Sequence, residues 1–238
     1  MNANTRWQES IAENLTASSI PGARKQEVAF SSVEAGIAPG LMGLQGGRFL
    51  IPATRVAVSQ QQGTLRTTGV PTDLAIDGSG YFEVQLPNGA KAYTRDGEFH
   101  YNAQGQLVTK QGYTVLGEGG ALQLDPANTA PVSISPNGQV CQGGQVKGQV
   151  RMVEFAQPNA LKNIGDGYYL LDDPRVQPAS AQKSQMRQGY LEGANSSPTT
   201  EMASMLTSMR MFEANQKVMQ MQDERMGRVI TDLGNPPA

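Results

Sequence analysis

The segment that most restricts the fold lies near the C-terminal end. From Thr199 to Met226 the chain carries neither glycine nor proline. Ser197 suits a helix N-cap, Pro198 the first helical position and Glu201 the positive end of the helix dipole. Gly234 and Pro236-Pro237 are stop signals. Between these limits Met202, Met205, Met209, Phe212, Gln216, Met219, Asp223, Met226, Ile230 and Leu233 alternate spacings of three and four. That is a heptad seam, which favours helix–helix contact over packing on a sheet. The pairs Glu213–Lys217 and Glu224–Arg228 are spaced i, i+4 with the acid first, each adding roughly 0.2–0.5 kcal/mol. Gln216 and Asp223 within the seam fix register at some loss of stability. Leu206, Val218, Met221 and Val229 lie off the seam, so a single partner would leave apolar surface bare. At 1.5 Å per residue the helix spans roughly 50 Å, longer than the expected width of the rest of the chain.

Composition limits the chemistry. Seven of the 11 Met fall in this helix, and Met packs adaptably against irregular partners. The 19 basic and 21 acidic residues give a net charge of -2, which argues against nucleic acid as a partner. One Cys (Cys141) and one His (His100) exclude an intrachain disulfide and leave a Cys/His zinc site almost no donors. No run approaches the ~20 apolar residues of a membrane span. Residues 1–13 lack the basic and apolar regions of a secretory signal peptide, so the default location is cytoplasmic.

Upstream the texture changes. Trp7, Ile11 and Leu15 share one face of a helix that ends before Pro21-Gly22, and the basic pair Arg24-Lys25 follows. We take residues 1–30 as this helix and its following loop. Residues 31–72, dense in Gly and Pro, read as an extended connector with one strand at 54–58. In 73–195 the period becomes two. Phe82, Val84 and Leu86 alternate with Tyr81, Glu83 and Gln85, which predicts a half-buried strand. Short strands are predicted at 91–94, 98–101, 107–109, 114–116, 132–134, 149–155, 168–171 and 188–191. They are separated by Asn-Gly and Asp-Gly turns such as Asn88-Gly89, Asp96-Gly97, Asn137-Gly138 and Asp166-Gly167. The expected fold is a mainly β central domain, sandwich- or barrel-like, with terminal α-helices forming a discontinuous coiled-coil domain; residues 196–238 make its second half.

Little in the chain suggests a reaction. His100 reads as a surface or cross-strand residue and Cys141 as a lone packed or exposed thiol. Asp77-Gly78-Ser79-Gly80 lacks the further ligands of a calcium loop, and Gly117-Glu118-Gly119-Gly120 matches no phosphate loop. Tyr93, Phe99, Tyr101 and Tyr113 suit cross-strand pairing more than a binding strip. No cofactor or metal is implied.

Three segments together resemble the flagellar hook–basal-body rod proteins: DLAIDGSGYFEVQLPNGAKAYTRDGEFHYNAQGQLVTKQGY at 73–113, RQGYLEGAN at 187–195, and the N-terminal Ala12–Leu15 with Pro21–Arg24. The matching positions are Asn14, Leu15, Gly22, Asp96, Gly97, Gly189, Glu192 and Gly193. The local cues Gly117–Gly120 and Asp223-Glu224 lean to the proximal F-type rod protein over the distal G-type. Three departures stand out: the first helix starts late, Ala23 replaces an aromatic residue, and Thr16-Ala17 replaces an asparagine-rich pair.

The resemblance implies a structural subunit without catalysis. Its two terminal helices would pack with those of other copies, and with other rod and hook proteins, into the wall of a hollow drive shaft that transmits torque and passes exported subunits. It implies export through the flagellar type III apparatus, without a cleaved signal peptide, to a periplasmic rod. The assembly surface would be Trp7, Ile11, Leu15, Met202, Met205, Met209, Phe212, Met219, Met226, Ile230 and Leu233. Two other readings stand beside it. One is a β-domain that binds a wall polymer through exposed tyrosines. The other is a hydrolase using two of Asp77, Asp96, Glu98 and Asp166, which would need carboxyls roughly 5–10 Å apart.

Overall fold

The computed structural model describes residues 2–37, 48–126, 128, 130–173, 175–181 and 183–234. Helix α1 covers Asn2–Ala17. Strands β1 (Gln26–Ile37) and β2 (Arg48–Val58) follow as an antiparallel ribbon, in register from Gln26↔Val58 to Glu34↔Leu50, with a bulge before the last pair Ile37↔Arg48. This corrects the expectation of an extended connector with one strand at 54–58. β1 carries Val28, Phe30, Val33 and Ile37, and β2 carries Phe49, Ile51, Thr54, Val56 and Val58, residue types that favour strands, and Pro52 is tolerated because a two-stranded ribbon consists of edges. The ribbon also runs across residue 30, where the sequence suggested a boundary.

The body is built from short strands, in chain order β3 (Leu65–Thr67), β4 (Leu74–Asp77), β5 (Tyr81–Gln85), β6 (Lys91–Thr94), β7 (Phe99–Tyr101), β8 (Leu107–Thr109), β9 (Thr114–Gly117) and β10 (Gly120–Ala121). Then come β11 (Val132–Ile134), β12 (Gln139–Gln142), β13 (Gln145–Gln149), β14 (Met152–Glu154), β15 (Leu161–Gly165), β16 (Tyr168–Leu171), β17 (Ala179–Ser180), β18 (Gln185–Gln188) and β19 (Tyr190–Glu192). Helix α2, Pro198–Gly234, closes the chain. The main sheet runs β15-β16-β6-β5-β9-β8-β7, with β14 also on β5; smaller sheets pair β11-β12-β13, β18-β4 and β19-β3. The fold is therefore mainly β, in antiparallel sheets, with a helix at each end, as the sequence predicts. The β15–β16 turn is Asp166-Gly167, both at positive φ (51° and 77°), the backbone a two-residue hairpin requires.

Strand β5 departs from its expected half-burial: Tyr81, Phe82, Glu83 and Val84 are all buried. One face feeds the main core with Leu74, Ile76, Leu107 and Val115. The other meets a second apolar cluster of Tyr81, Tyr93, Val153, Phe155, Leu161 and Tyr169. Glu83 is accommodated there because Lys91 lies 2.7 Å and Arg151 3.0 Å from its carboxylate. The aromatic residues pack edge to face: Tyr93 on Phe155 at 4.8 Å, Phe99 on Phe82 at 5.0 Å and Tyr113 on Tyr168 at 5.1 Å. They are core and cross-strand contacts rather than an exposed strip.

Candidate assembly surface and the joint beneath it

Helix α1 packs along the first turns of α2. Ile11 is 3% exposed, and Trp7 and Leu15 are half-buried. Trp7, Ser10, Ile11 and Asn14 line a cleft of about 180 Å³ together with Glu201 and Ser204 of α2. On α2 the covered stripe is Glu201, Ser204, Met205, Ser208 and Phe212. It shares only Met205 and Phe212 with the heptad seam. Met202 (55% exposed), Met209 (45%), Met219 and Met226 (67%) face outward, as do Leu206, Met211, Val218, Met221 and Val229. From Glu213 to Val229 every residue of α2 is exposed. The side chains of Ile230 and Leu233 lie outside the described residues. In the single chain, then, α1 flanks the seam and leaves most of it bare. Such contiguous apolar surface on a helix marks a place for a partner.

Beneath the helices lies a cluster in which Arg24 and Glu192, both marked in the sequence, meet Arg95, which was not. Glu192, Arg24 and Arg95 are each almost wholly buried. Arg24 lies 3.1 Å from Glu192 Oε1 and Arg95 3.0 Å from Oε2. Gly63 N–H also donates to Oε1 at 2.9 Å, so both oxygens are engaged. Arg95 donates further to the carbonyls of Gly78 (2.6 Å) and Ile76 (3.4 Å), and its guanidinium sits over the Tyr81 ring at 5.0 Å. Arg24 donates to the Gln60 carbonyl at 3.3 Å. Burial draws the Arg95 guanidinium below its ordinary range, opposed chiefly by Glu192, and burial raises the Tyr81 phenol. The same burial pushes the Tyr169 phenol up to about 12.

Several of the residues matched by resemblance lie at or next to this cluster. Gly22, at φ 68°, donates its N–H to the Glu192 carbonyl at 2.7 Å. A Cβ there would meet the Arg95 carbonyl carbon at 2.3 Å. A Cβ on Gly97 would lie 1.6 Å from the Leu74 carbonyl oxygen. Gly193 N–H bonds to Thr64 O at 2.9 Å and Gly189 N–H to Asp73 O at 2.8 Å. Asn14, buried in α1, brackets Gln26: its amide donates to Gln26 O at 2.8 Å and its oxygen accepts from Gln26 N–H at 2.7 Å. Asn195 ties three segments, accepting from Lys25 N–H (2.5 Å), donating to Gln61 O (2.8 Å), and donating its own N–H to Ala23 O (3.2 Å). Lys25 reaches α2 through Glu201 at 2.7 Å.

Of the carboxylates considered for hydrolysis, Asp77 is held by Arg187 at 2.7 Å and Glu98 lies 3.9 Å from Lys110. Asp96 is buried, accepts from Glu98 N–H at 3.0 Å, and is pushed up to about 6 by burial. His100 is exposed and Cys141 half-buried.

The family described as flagellar hook protein FlgE/F/G D1 domain matches residues 75–142, within the β body. The family described as flagellar basal body rod FlgEFG protein C-terminal matches residues 187–232, which hold Glu192 and most of α2. The chain is 32% identical to the flagellar basal-body rod protein FlgF of Caulobacter vibrioides, over 96% of this chain and 92% of that one. It is 30% identical to FlgG of Buchnera aphidicola from Acyrthosiphon pisum (92% and 91%) and 29% identical to FlgG of Bacillus subtilis (92% and 90%). Identity to the two rod types is thus nearly equal.

Proposed function

The chain belongs to the flagellar basal-body rod protein family and is a structural subunit of the basal body, and we propose that it enters the rod through the bare seam of α2. In this reading Met202, Met205, Met209, Phe212, Met219, Met226, Ile230 and Leu233 meet helices of other copies and of neighbouring rod and hook proteins. Trp7, Ile11 and Leu15 hold α1 beside them. The helices form the inner wall of a tube and the β body lies outside it. Head-to-tail contacts that do not close into a ring build a helical filament. Such a tube carries torque along its length and leaves a bore for exported subunits. The subunit reaches the periplasm by the flagellar type III apparatus, and the local sequence cues favour the proximal F-type position.

The observation that carries this reading is the exposure of the seam: Met202, Met209, Met219 and Met226 are all exposed among the described residues. Met209→Asp tests it. Met209 is 45% exposed, so the free subunit should keep its fold, with stability changed by no more than about 0.5 kcal/mol. Purified basal bodies from cells carrying only this variant should lack the subunit, and the cells should not swim. Normal incorporation and motility would refute the assembly role of the seam.

A further inference from the structure

We propose that Arg24, Glu192 and Arg95 form a torsion clamp that makes the helical part of the subunit and its β body turn as one piece; its use rests on the rod reading above. Three segments run between the two parts: residues 22–26 after α1, residues 58–63 after the ribbon, and residues 192–197 before α2. Relative motion is the default for two bodies joined by a small contact. Here each segment is bound to the others at one point. Glu192 carries Arg24 from the first, Gly63 from the second, and through its own carbonyl Gly22. Asn195 repeats the tie between Lys25 and Gln61.

The node is anchored at both ends. Toward the body, Arg95 is fixed between Glu192, the carbonyls of Ile76 and Gly78, and the face of Tyr81. Toward the helices, the Lys25–Glu201 pair holds the first turn of α2, and Asn14 holds α1 to the start of the ribbon. Stability is a poor explanation for such a group. Well-packed apolar residues in place of a buried ion cluster are often as stable or more so, because desolvating the ions offsets their attraction. What charged, hydrogen-bonded groups supply is direction. A carboxylate gripped on both oxygens by planar guanidiniums tolerates little rotation, whereas apolar contacts slide.

The test uses the full chain as a free subunit. Spin labels go on Val146→Cys in the body and Ala203→Cys on α2, both exposed, in a Cys141→Ser background. Pulsed dipolar spectroscopy then reads the distance distribution between them. The unmodified clamp should give one narrow distance. Arg24→Met, which leaves the Arg95–Glu192 pair intact, and Glu192→Gln should broaden it about twofold as the default relative motion returns. Glu83→Gln, which removes a buried carboxylate away from the three segments, should lower the melting temperature and leave the width unchanged. If Glu192→Gln does not fold, Arg24→Met decides alone. An unchanged width in Arg24→Met, or equal broadening in Glu83→Gln, overturns the clamp. Because no assembly is involved, the clamp and the seam of α2 fail or stand separately.

Discussion

Asp96 offers a quantitative check on the body that the joint holds. Its carboxyl is buried and its pKa rises from 3.8 to about 6, first through burial and then through the nearby Glu98 and Asp73 carboxylates; the Glu98 backbone N–H and Lys110 oppose the rise. The sign follows from proton linkage. Between these two values the folded chain binds more protons than the unfolded chain, so this group makes stability fall as pH rises. Its contribution is whole below the unfolded value and lost above about 6. A shift of roughly two units corresponds to about 3 kcal/mol as an upper bound. Asp96→Asn mimics the protonated acid, and its amide oxygen still accepts the Glu98 N–H that now lies at 3.0 Å. Urea unfolding of both proteins from pH 3.5 to 7 should give similar stabilities at the acid end. The variant should gain steadily above it, reaching about 1–3 kcal/mol near neutrality. The difference between the two curves removes the carboxylates remote from Asp96 and keeps its coupling to Glu98 and Asp73. A difference that does not vary with pH, or that favours the wild type at pH 7, would refute the assignment of Asp96 as a carboxylate destabilised by burial.

Other outcomes follow from the same geometry. Hydrogen exchange of dilute subunit should show protection in α2 near Glu201–Phe212, where α1 covers it, and rapid exchange from Glu213 onward; uniform protection to Val229 would contradict the exposure seen here. Gly22→Ala should destabilise by about 1–3 kcal/mol, since it combines an unfavourable φ with a clash against the Arg95 backbone; denaturant midpoints measure this. Lys25→Met leaves Glu201 buried without its partner and should cost on the order of 1–3 kcal/mol, seen as a lower melting temperature.

Much of the fold was legible because local chemistry decided it. The strands at 91–94, 107–109, 132–134 and 168–171 have the predicted limits, and Gly89, Gly105, Gly112 and Gly167, all at positive φ, bound three of them closely. Helix α2 begins at Pro198, where the cap residues place it. The ribbon was hidden because its Gly- and Pro-rich surroundings drowned two β-branched segments. The buried face of β5 was hidden because Glu83 reads as a solvent residue until Lys91 and Arg151 are brought to it by the fold. The joint was least legible. Arg95 and Glu192 are 97 residues apart, and Lys25 and Asn195 170 apart, so no local pattern links them. Resemblance marked Gly22, Gly97 and Glu192 as signature positions; only their three-dimensional meeting explains what they do.

The bare thioethers of α2 have a chemical consequence. Methionine sulfoxide is polar and chiral, and its formation follows access to oxidant. Met202, Met209, Met219 and Met226 are open in the free chain and would be closed off inside a rod. Each subunit then carries a record of its history: peptide mass spectrometry after a mild peroxide pulse should find oxidised seam methionines in free subunits and reduced ones in assembled rods. Equal oxidation in both pools would show that the seam stays open. Oxidation before docking would also spoil the surface, so a subunit that waits too long outside the shaft would lose its capacity to join it.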